Sequence, residues 1–483
     1  MSAGASRGGR WWEIVLCMAL APTPVAAPLC LGFRVQGQLN RGAEPGQRVR
    51  RIAAAKASEG VSGVGGLAGR AHLAGLGTLR MSSLRSFVGR AEPEQAVSIA
   101  EPRRDPEALA RRFAPAVRRE VRRLLRTSSR FIDLALIFPG ALHAIAAADT
   151  GREARRAAFE LVLAGAPLKQ VADALGLATW LRRLPPEAFT ACPAGVPDGE
   201  SFARRIVNCL PRSRTQSAFW LSTVGFAAEA VHEDFAVWLA HQPVYTEPGD
   251  PRRLFAVLAA YAWFSGQPFR PANGLMIVPW RPEISIETAL CAAKSWLNRI
   301  RLVLVLRPGV ISDPWLDPGE AGGFMFVPLL DANQLLEEAQ AMHNCADQYA
   351  DRIARDRCRL FSVRRKGGAR VATLEIGAHM REPGVLDVTQ LKARHNMPAP
   401  LEVWQAAHAW LAKQRGLRRV PALAPPPRPI DGAGWARLMG PYRAKKGGAP
   451  WLPVELTHPA LAVLDADLAD LARRAGVSSW LFT

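Results

Sequence analysis

Cysteine is scarce in this 483-residue chain, with seven in all, an odd number. That is too few for a disulfide scaffold. Neither C-x-x-C nor H-E-x-x-H occurs, and Cys192, Cys209, Cys291 and Cys358 are scattered, so neither a metal site nor a cofactor is expected. A phosphate loop is missing too: the glycines of 60–69 lack a following Lys-Ser/Thr, and those of 319–323 open no P-loop helix. No G-x-S-x-G elbow is present. No run of about 18 apolar residues escapes charge or proline, which argues against a multi-span membrane protein. A cytoplasmic location with no membrane partner is therefore expected. With 49% hydrophobic residues, wholesale disorder is excluded. These absences bound the class and name no activity.

Positive charge is abundant, with 62 Lys+Arg against 42 Asp+Glu, a formal +20. Only eight of the 62 are lysine, and alanine is frequent, so part of this charge reflects compositional bias. Its distribution says more than its size. The first 130 residues hold 22 basic and 9 acidic side chains, +13 of the +20, leaving about +7 for the rest. Such asymmetry suits a basic arm that meets a polyanion, and equally a solvated arm without a partner. Residues 1–104 read as a low-complexity, disordered arm: Gly60-Val61-Ser62-Gly63-Val64-Gly65-Gly66 cannot bury enough surface to offset its ordering entropy. An apolar stretch at 11–31 mimics a secretory signal, yet Glu13 and several prolines interrupt it. Met81 would serve equally well as a start.

A helix is predicted over 105–127, with Val117, Val121, Leu124 and Leu125 as its apolar stripe. Arg118, Arg119, Arg122, Arg123 and Arg126 cover its other sides. They are candidates for non-sequence-specific contact with nucleic-acid phosphates. A docked surface helix with solvated arginines is the plainer alternative. From 131 to about 300 the pattern is helical, with Leu302–Leu306 a short strand or a helix end. Leu168–Leu177 has helix-turn-helix spacing, but Pro185-Pro186 stop the second helix after six residues, too short to read a major groove. It reads as a structural αα-turn. The Trp and Phe residues between 215 and 300 belong either to a core or to an apolar patch for a protein partner.

Residues 331–415 are the most patterned. Asp331 suits an N-cap for a helix over about 332–356. Strands follow at 359–364 and 370–376, joined through Lys366-Gly367-Gly368-Ala369, with a third at 385–391 and a helix over 398–414. The fold class expected is α+β: a mainly helical N-terminal domain, then a small α-β-β-β-α domain with an antiparallel three-stranded sheet. The boundaries drawn are a helical domain at 105–325, the α+β domain at 326–418, a proline-rich linker at 419–430 and a C-terminal tail at 431–483, whose segment Tyr442–Gly448 reads as a solvated basic loop.

Met342-His343-Asn344-Cys345-Ala346-Asp347-Gln348-Tyr349, Arg359–Arg364, Ala372-Thr373-Leu374-Glu375-Ile376, Gln390-Leu391-Lys392 and His395-Asn396 occur in that order. In order and spacing they resemble the PcfJ-like domain family, named after a protein of a conjugative plasmid. The resemblance covers roughly 330–415, and the helical region before it looks like the upstream part of bacterial members. It implies a bacterial protein associated with mobile elements and DNA transfer, and it implies little biochemistry. One departure stands out: many members read Met-x-His-Cys, whereas here Asn344 precedes Cys345 and the histidine is at 343. One residue turns a helical side chain by about 100°, which weakens a catalytic role for His343.

On the predicted 332–356 helix, Met342, Cys345 and Tyr349 share a face, and His343 and Asp347 share another at i, i+4. A His beside a carboxylate suits acid–base work, or forms an ordinary surface pair. Cys345 is a nucleophile if a cation lowers its pKa, and otherwise a small buried hydrophobe. In the returning strand Ala372, Leu374 and Ile376 face the core, so Thr373 and Glu375 face the other way. Gln390, Asn396 and Tyr349 are candidates to converge on Glu375, as a ligand or catalytic site or as a buried network that fixes the fold. The candidate catalytic set is thus Glu375, Tyr349, Gln390, Asn396, Cys345 and His343. Three functions remain open: a binding or accessory module contacting nucleic acid through its basic N-terminal region, an enzyme with its site in the 331–415 domain, and a protein-interaction scaffold that exposes the Trp and Phe residues of 215–300.

Overall fold

The structure, a computed structural model, describes residues 105–193, 195–382, 384–418 and 428–478. The basic segment 1–104, with its signal-like stretch and Met81, lies outside the described residues, as does 419–427 of the proline-rich linker.

The basic N-terminal helix is two helices. Asp105 caps Pro106–Arg111 by accepting from the Glu107 and Ala108 N–H groups. Pro115 then offers no donor and disfavours helix before it, so the chain turns and restarts as Arg118–Thr127. The second helix buries Val121, Leu124 and Leu125. Leu168–Leu175 ends at Gly176 in the left-handed conformation (φ 63°), and a 3-10 turn, Thr179–Arg183, follows with Trp180 and Leu181 buried. Residues 302–305 are the last turn of the long helix Ile286–Val305 and not a strand.

The aromatic residues of 215–300 are core. Trp220, Phe235, Phe255, Tyr261 and Phe264 are buried in one large helical cluster. The segment read as a tail from 431 returns to that cluster, over its described residues, as the helices Gly432–Lys445 and His458–Arg474, whose Trp435, Tyr442 and Leu468 are buried. Asp431 and Thr457 cap these helices. Lys446, expected in a solvated loop, donates to the Glu229 and Val231 carbonyls at 2.9 and 2.7 Å.

Between the two helical parts lies an antiparallel meander of five strands, where three were expected. They are β1 (Gly319–Ala321), β2 (Phe324–Pro328), β3 (Cys358–Arg365), β4 (Arg370–Ala378) and β5 (Leu386–Ala393), in that spatial order. The missed hairpin β1–β2 is too short for alternation to register, and it turns on Gly322 and Gly323 at φ 58° and 80°.

Period-two alternation gives the sheet two unlike faces. On one, Phe326, Phe361, Val363 and Leu374 pack under the helix Leu401–Leu411, with Phe326 stacked on Trp410 at 4.6 Å. The other presents Leu360, Thr373, Glu375, Gln390 and Lys392. Part of it is covered by the helices Ala332–Met342 and Ala350–Ala354 and the 3-10 turn Ala346–Gln348. Those covering elements share a third core with Leu302, Val305 and Leu306 at the end of the Ile286–Val305 helix. Among the described residues no helix is long and apolar enough to cross a membrane.

Candidate functional site

The helix predicted over 332–356 stops at Met342. His343 takes a left-handed backbone (φ 48°, ψ 48°), and the Asn344 side chain accepts from the Ala346 N–H at 3.1 Å, offering the chain a turn in place of another helical bond. The expected helical faces therefore do not exist. His343 is exposed, whereas Asp347 is buried and accepts from Arg299 Nε at 2.6 Å, so the pairing of His343 with Asp347 is overturned.

Ending the helix there brings Cys345 and Tyr349 over the polar face of β4 and β5. Glu375 is 3% exposed. Tyr349 donates its hydroxyl to Glu375 Oε2 at 2.9 Å, and that hydroxyl lies 3.1 Å from the Gln390 side-chain oxygen. With its amide reversed, Gln390 donates to the hydroxyl and completes the set. Arg352 grips both oxygens of Glu375, at 3.0 and 2.5 Å, and lies over the Tyr349 ring at 5.2 Å. A bulge falls here. Glu375 stands opposite Gln390 and Ile376 opposite Val388, so Thr389 is the extra residue, and its hydroxyl donates to the Glu375 carbonyl at 3.3 Å. The bulge keeps Gln390 and Lys392 on the Glu375 side while Val388 stays in the core.

A second cluster adjoins the first. Glu338 is fully buried and accepts from the Thr373 hydroxyl at 2.8 Å and from Arg370 Nε at 3.0 Å, while Asn344 Nδ2 donates to Thr373 Oγ1 at 2.7 Å. Glu338, Asn344, Arg352, Thr373 and Arg370 were not among the sequence-derived candidates. The signal for Glu338 was present, since it shares the buried stripe of Leu335, Ala339 and Met342, where a carboxylate needs a partner.

Cys345 is half-buried at the open end, its Sγ 3.9 Å from Asn396 Oδ1. It is not the sealed core thiol a helix would have made it. Burial, and then the Asp347 carboxylate, push its pKa up, so it stays a thiol. Burial and Glu375 likewise push the Tyr349 phenol well above its usual range. At the rim the His343 and His395 rings stack at 4.8 Å and 15°. Burial, Arg394 and His395 all lower the His343 pKa. His343, His395 and Asn396 all hold positive φ (48°, 59°, 58°). For non-glycine residues this conformation costs on the order of 1–3 kcal/mol each, and it gathers where function needs a fixed geometry.

The structure thus brings together Glu375, Tyr349, Gln390, Cys345 and Asn396, and sets His343 at their rim. The cleft between them, floored by Leu360, Thr373 and Glu375, holds about 20 Å³, room for roughly one water. Among the described residues no group of three or more His, Cys, Asp and Glu side chains is arranged to hold a metal. A separate pair, Cys209 and His241, has Sγ 3.2 Å from the ring nitrogens, but burial pushes that thiol up to about 11.

The arginines of Arg118–Thr127 are largely engaged within the fold. Arg122 and Arg126 donate to Glu107 at 2.9 and 2.7 Å, Arg123 pairs with Glu120, and Arg118 donates to the Phe113 carbonyl at 2.8 Å. Arg119 is exposed.

Residues 319–405 match the family model described as PcfJ-like protein. No curated protein and no solved structure matches the chain. The matched span begins with β1 and ends within the Leu401–Leu411 helix, so it takes in the whole sheet and every residue of the cleft. The five-stranded meander with its covering helices is a PcfJ-like domain.

Proposed function

We propose that the chain is a binding module whose ligand site is the cleft of the PcfJ-like domain. The observation that carries this reading is the convergence of Cys345, Tyr349, Glu375, Gln390 and Asn396 on one cleft, from segments up to 51 residues apart in sequence. Leu360, Thr373 and Glu375 form its floor, Tyr349 and Gln390 line it, and Cys345 with Asn396 stands at its mouth. Binding is favoured over catalysis by the protonation states. Cys345 and Tyr349 are both held protonated, and Glu375 is committed to Arg352 and Tyr349, so these three groups offer neither a thiolate nor a free carboxylate base. The nucleic-acid reading of Arg118–Thr127 draws less support, because four of its five candidate arginines already serve contacts within the fold.

Cys345 reports on the site. The full chain is treated with N-ethylmaleimide alone and with a panel of small anionic, neutral and cationic polar compounds, and peptide mapping follows modification at Cys345. Protection by one class of compound, lost in Gln390→Leu, supports the reading. Labelling that no compound slows overturns it.

A further inference from the structure

The cleft's own charges point to its ligand. Three carboxylates are buried in the sheet and its cover: Glu375 on β4, Glu338 on the Ala332–Met342 helix and Asp347 in the Ala346–Gln348 turn. Each is paired with an arginine: Glu338 with Arg370, which also meets the exposed Glu337 at 3.5 Å, Asp347 with Arg299, and Glu375 with Arg352. Once these pairs are drawn, the remaining charge at the mouth has one sign. Lys392 lines the cleft, half-buried, and has no carboxylate within ion-pair distance among the described residues. Arg394 is exposed two residues on and is also without one. The two stacked imidazoles stand beside them.

These groups are held together against their mutual repulsion. Lys392 lies in the ladder opposite Thr373, which fixes its side chain on the cleft side of β5. His343 and His395 are brought face to face by two left-handed turns from separate segments. A fold that neutralises three carboxylates one by one, and then gathers uncompensated cations and N–H donors at the open end, is complementary to an anion. The donors approach from two segments and include two fixed cations. A carboxylate, with one charge and a flat pair of oxygens, leaves part of that set unused, whereas a phosphate dianion engages it in several directions.

Resting on the cleft as the ligand site, we infer that its mouth binds a phosphate group, held by Lys392 and Arg394 with His343 and His395 beside them. A free phosphate and the phosphate of a nucleoside monophosphate share this chemistry.

The test uses the full chain, N-ethylmaleimide labelling of Cys345 and four probes at matched ionic strength: sodium phosphate, AMP, adenosine and acetate. A phosphate at the mouth screens the thiol and raises its pKa further, so labelling slows on both grounds. Phosphate or AMP is expected to slow it at least fivefold, with adenosine and acetate changing it less than twofold. Lys392→Gln should abolish the protection and Lys392→Arg restore it. Should Lys392→Gln fail to fold, Arg394→Gln, at an exposed position, replaces it. Equal protection by phosphate and AMP identifies free phosphate as sufficient, and protection by AMP alone identifies a nucleotide. Protection by adenosine or acetate as strong as by AMP overturns the inference and leaves the cleft as a ligand site. Failure of every probe, and of the neutral and cationic panel as well, removes both.

Discussion

Arg299 reaches from the long helix of the helical region to Asp347 in the 3-10 turn that helps cover the sheet, Nε to Oδ2 at 2.6 Å, with both side chains nearly buried at 11% and 4% exposed. Burial pushes the Asp347 pKa up, and the guanidinium opposes that rise. Removing one partner strands the other charge. Arg299→Met is expected to destabilise the chain by about 3–5 kcal/mol, and Arg299→Met with Asp347→Leu to recover most of that loss. Denaturant unfolding of the two variants checks this. A double variant no better than the single would show that the pair does more than satisfy itself.

Tyr349→Phe keeps the ring under the Arg352 guanidinium but takes one donor from Glu375 and the hydroxyl that Gln390 meets. The expected loss is about 1–2 kcal/mol, with Arg352 still holding the carboxylate. Glu375→Gln frees Arg352 from its bidentate partner and should cost more than Tyr349→Phe. Thermal unfolding of both variants ranks them, and the reverse order contradicts the assignment of Arg352 as the main partner of Glu375.

His143 is buried in the helical core beside Phe189, and neither ring nitrogen has a hydrogen-bond partner. Burial lowers its pKa from the ordinary 6.5, with Asp149 opposing. The folded chain thus holds the ring neutral, and the unfolded chain binds the proton more readily. Stability contributed by the neutral ring is present above pH 6.5 and falls as pH drops below it. The urea midpoint should be lower at pH 5 than at pH 7.5, and His143→Phe should shrink that difference. An unchanged difference in the variant would take His143 out of the acid response.

The contacts of Arg122 and Arg126 with Glu107 join the first two described helices at the surface, where ion pairs contribute about 0–1 kcal/mol. Arg122→Gln with Arg126→Gln should therefore lower stability by less than about 1 kcal/mol and leave heparin retention unchanged. Elution at clearly lower salt would instead assign this helix a polyanion contact.

Much of the site was legible because a strand has only two faces. The alternation of Ala372, Leu374 and Ile376 put Glu375 on the opposite side, and the order of the motifs added Tyr349, Gln390 and Asn396. The helix break was not legible. Nothing in Met342-His343-Asn344-Cys345 requires a left-handed turn, since histidine adopts that backbone only when its surroundings impose it. That break is what moves Cys345 from a helix stripe to the cleft mouth. The partners Arg352 and Arg370 were hidden by an arginine-rich composition in which no single arginine stands out. The closing helices were obscured by Gly432, Gly434, Gly440 and Pro441, residues that ordinarily mark loops but here lie within a helix that packing holds together.

The large helical core is built from both ends of the described chain, Leu109 to Leu304 and then Trp435 to Ala472. A ribosome therefore finishes the entire five-stranded meander before it makes the residues that close the helical layer. Some 130 residues separate Leu304 from Trp435, an interval on the order of ten seconds at ordinary elongation rates. During it the sheet can fold on its own two sides, while the helical layer waits with its aromatic surface open. That surface, and not the five-stranded domain, is where a chaperone would meet the newborn chain.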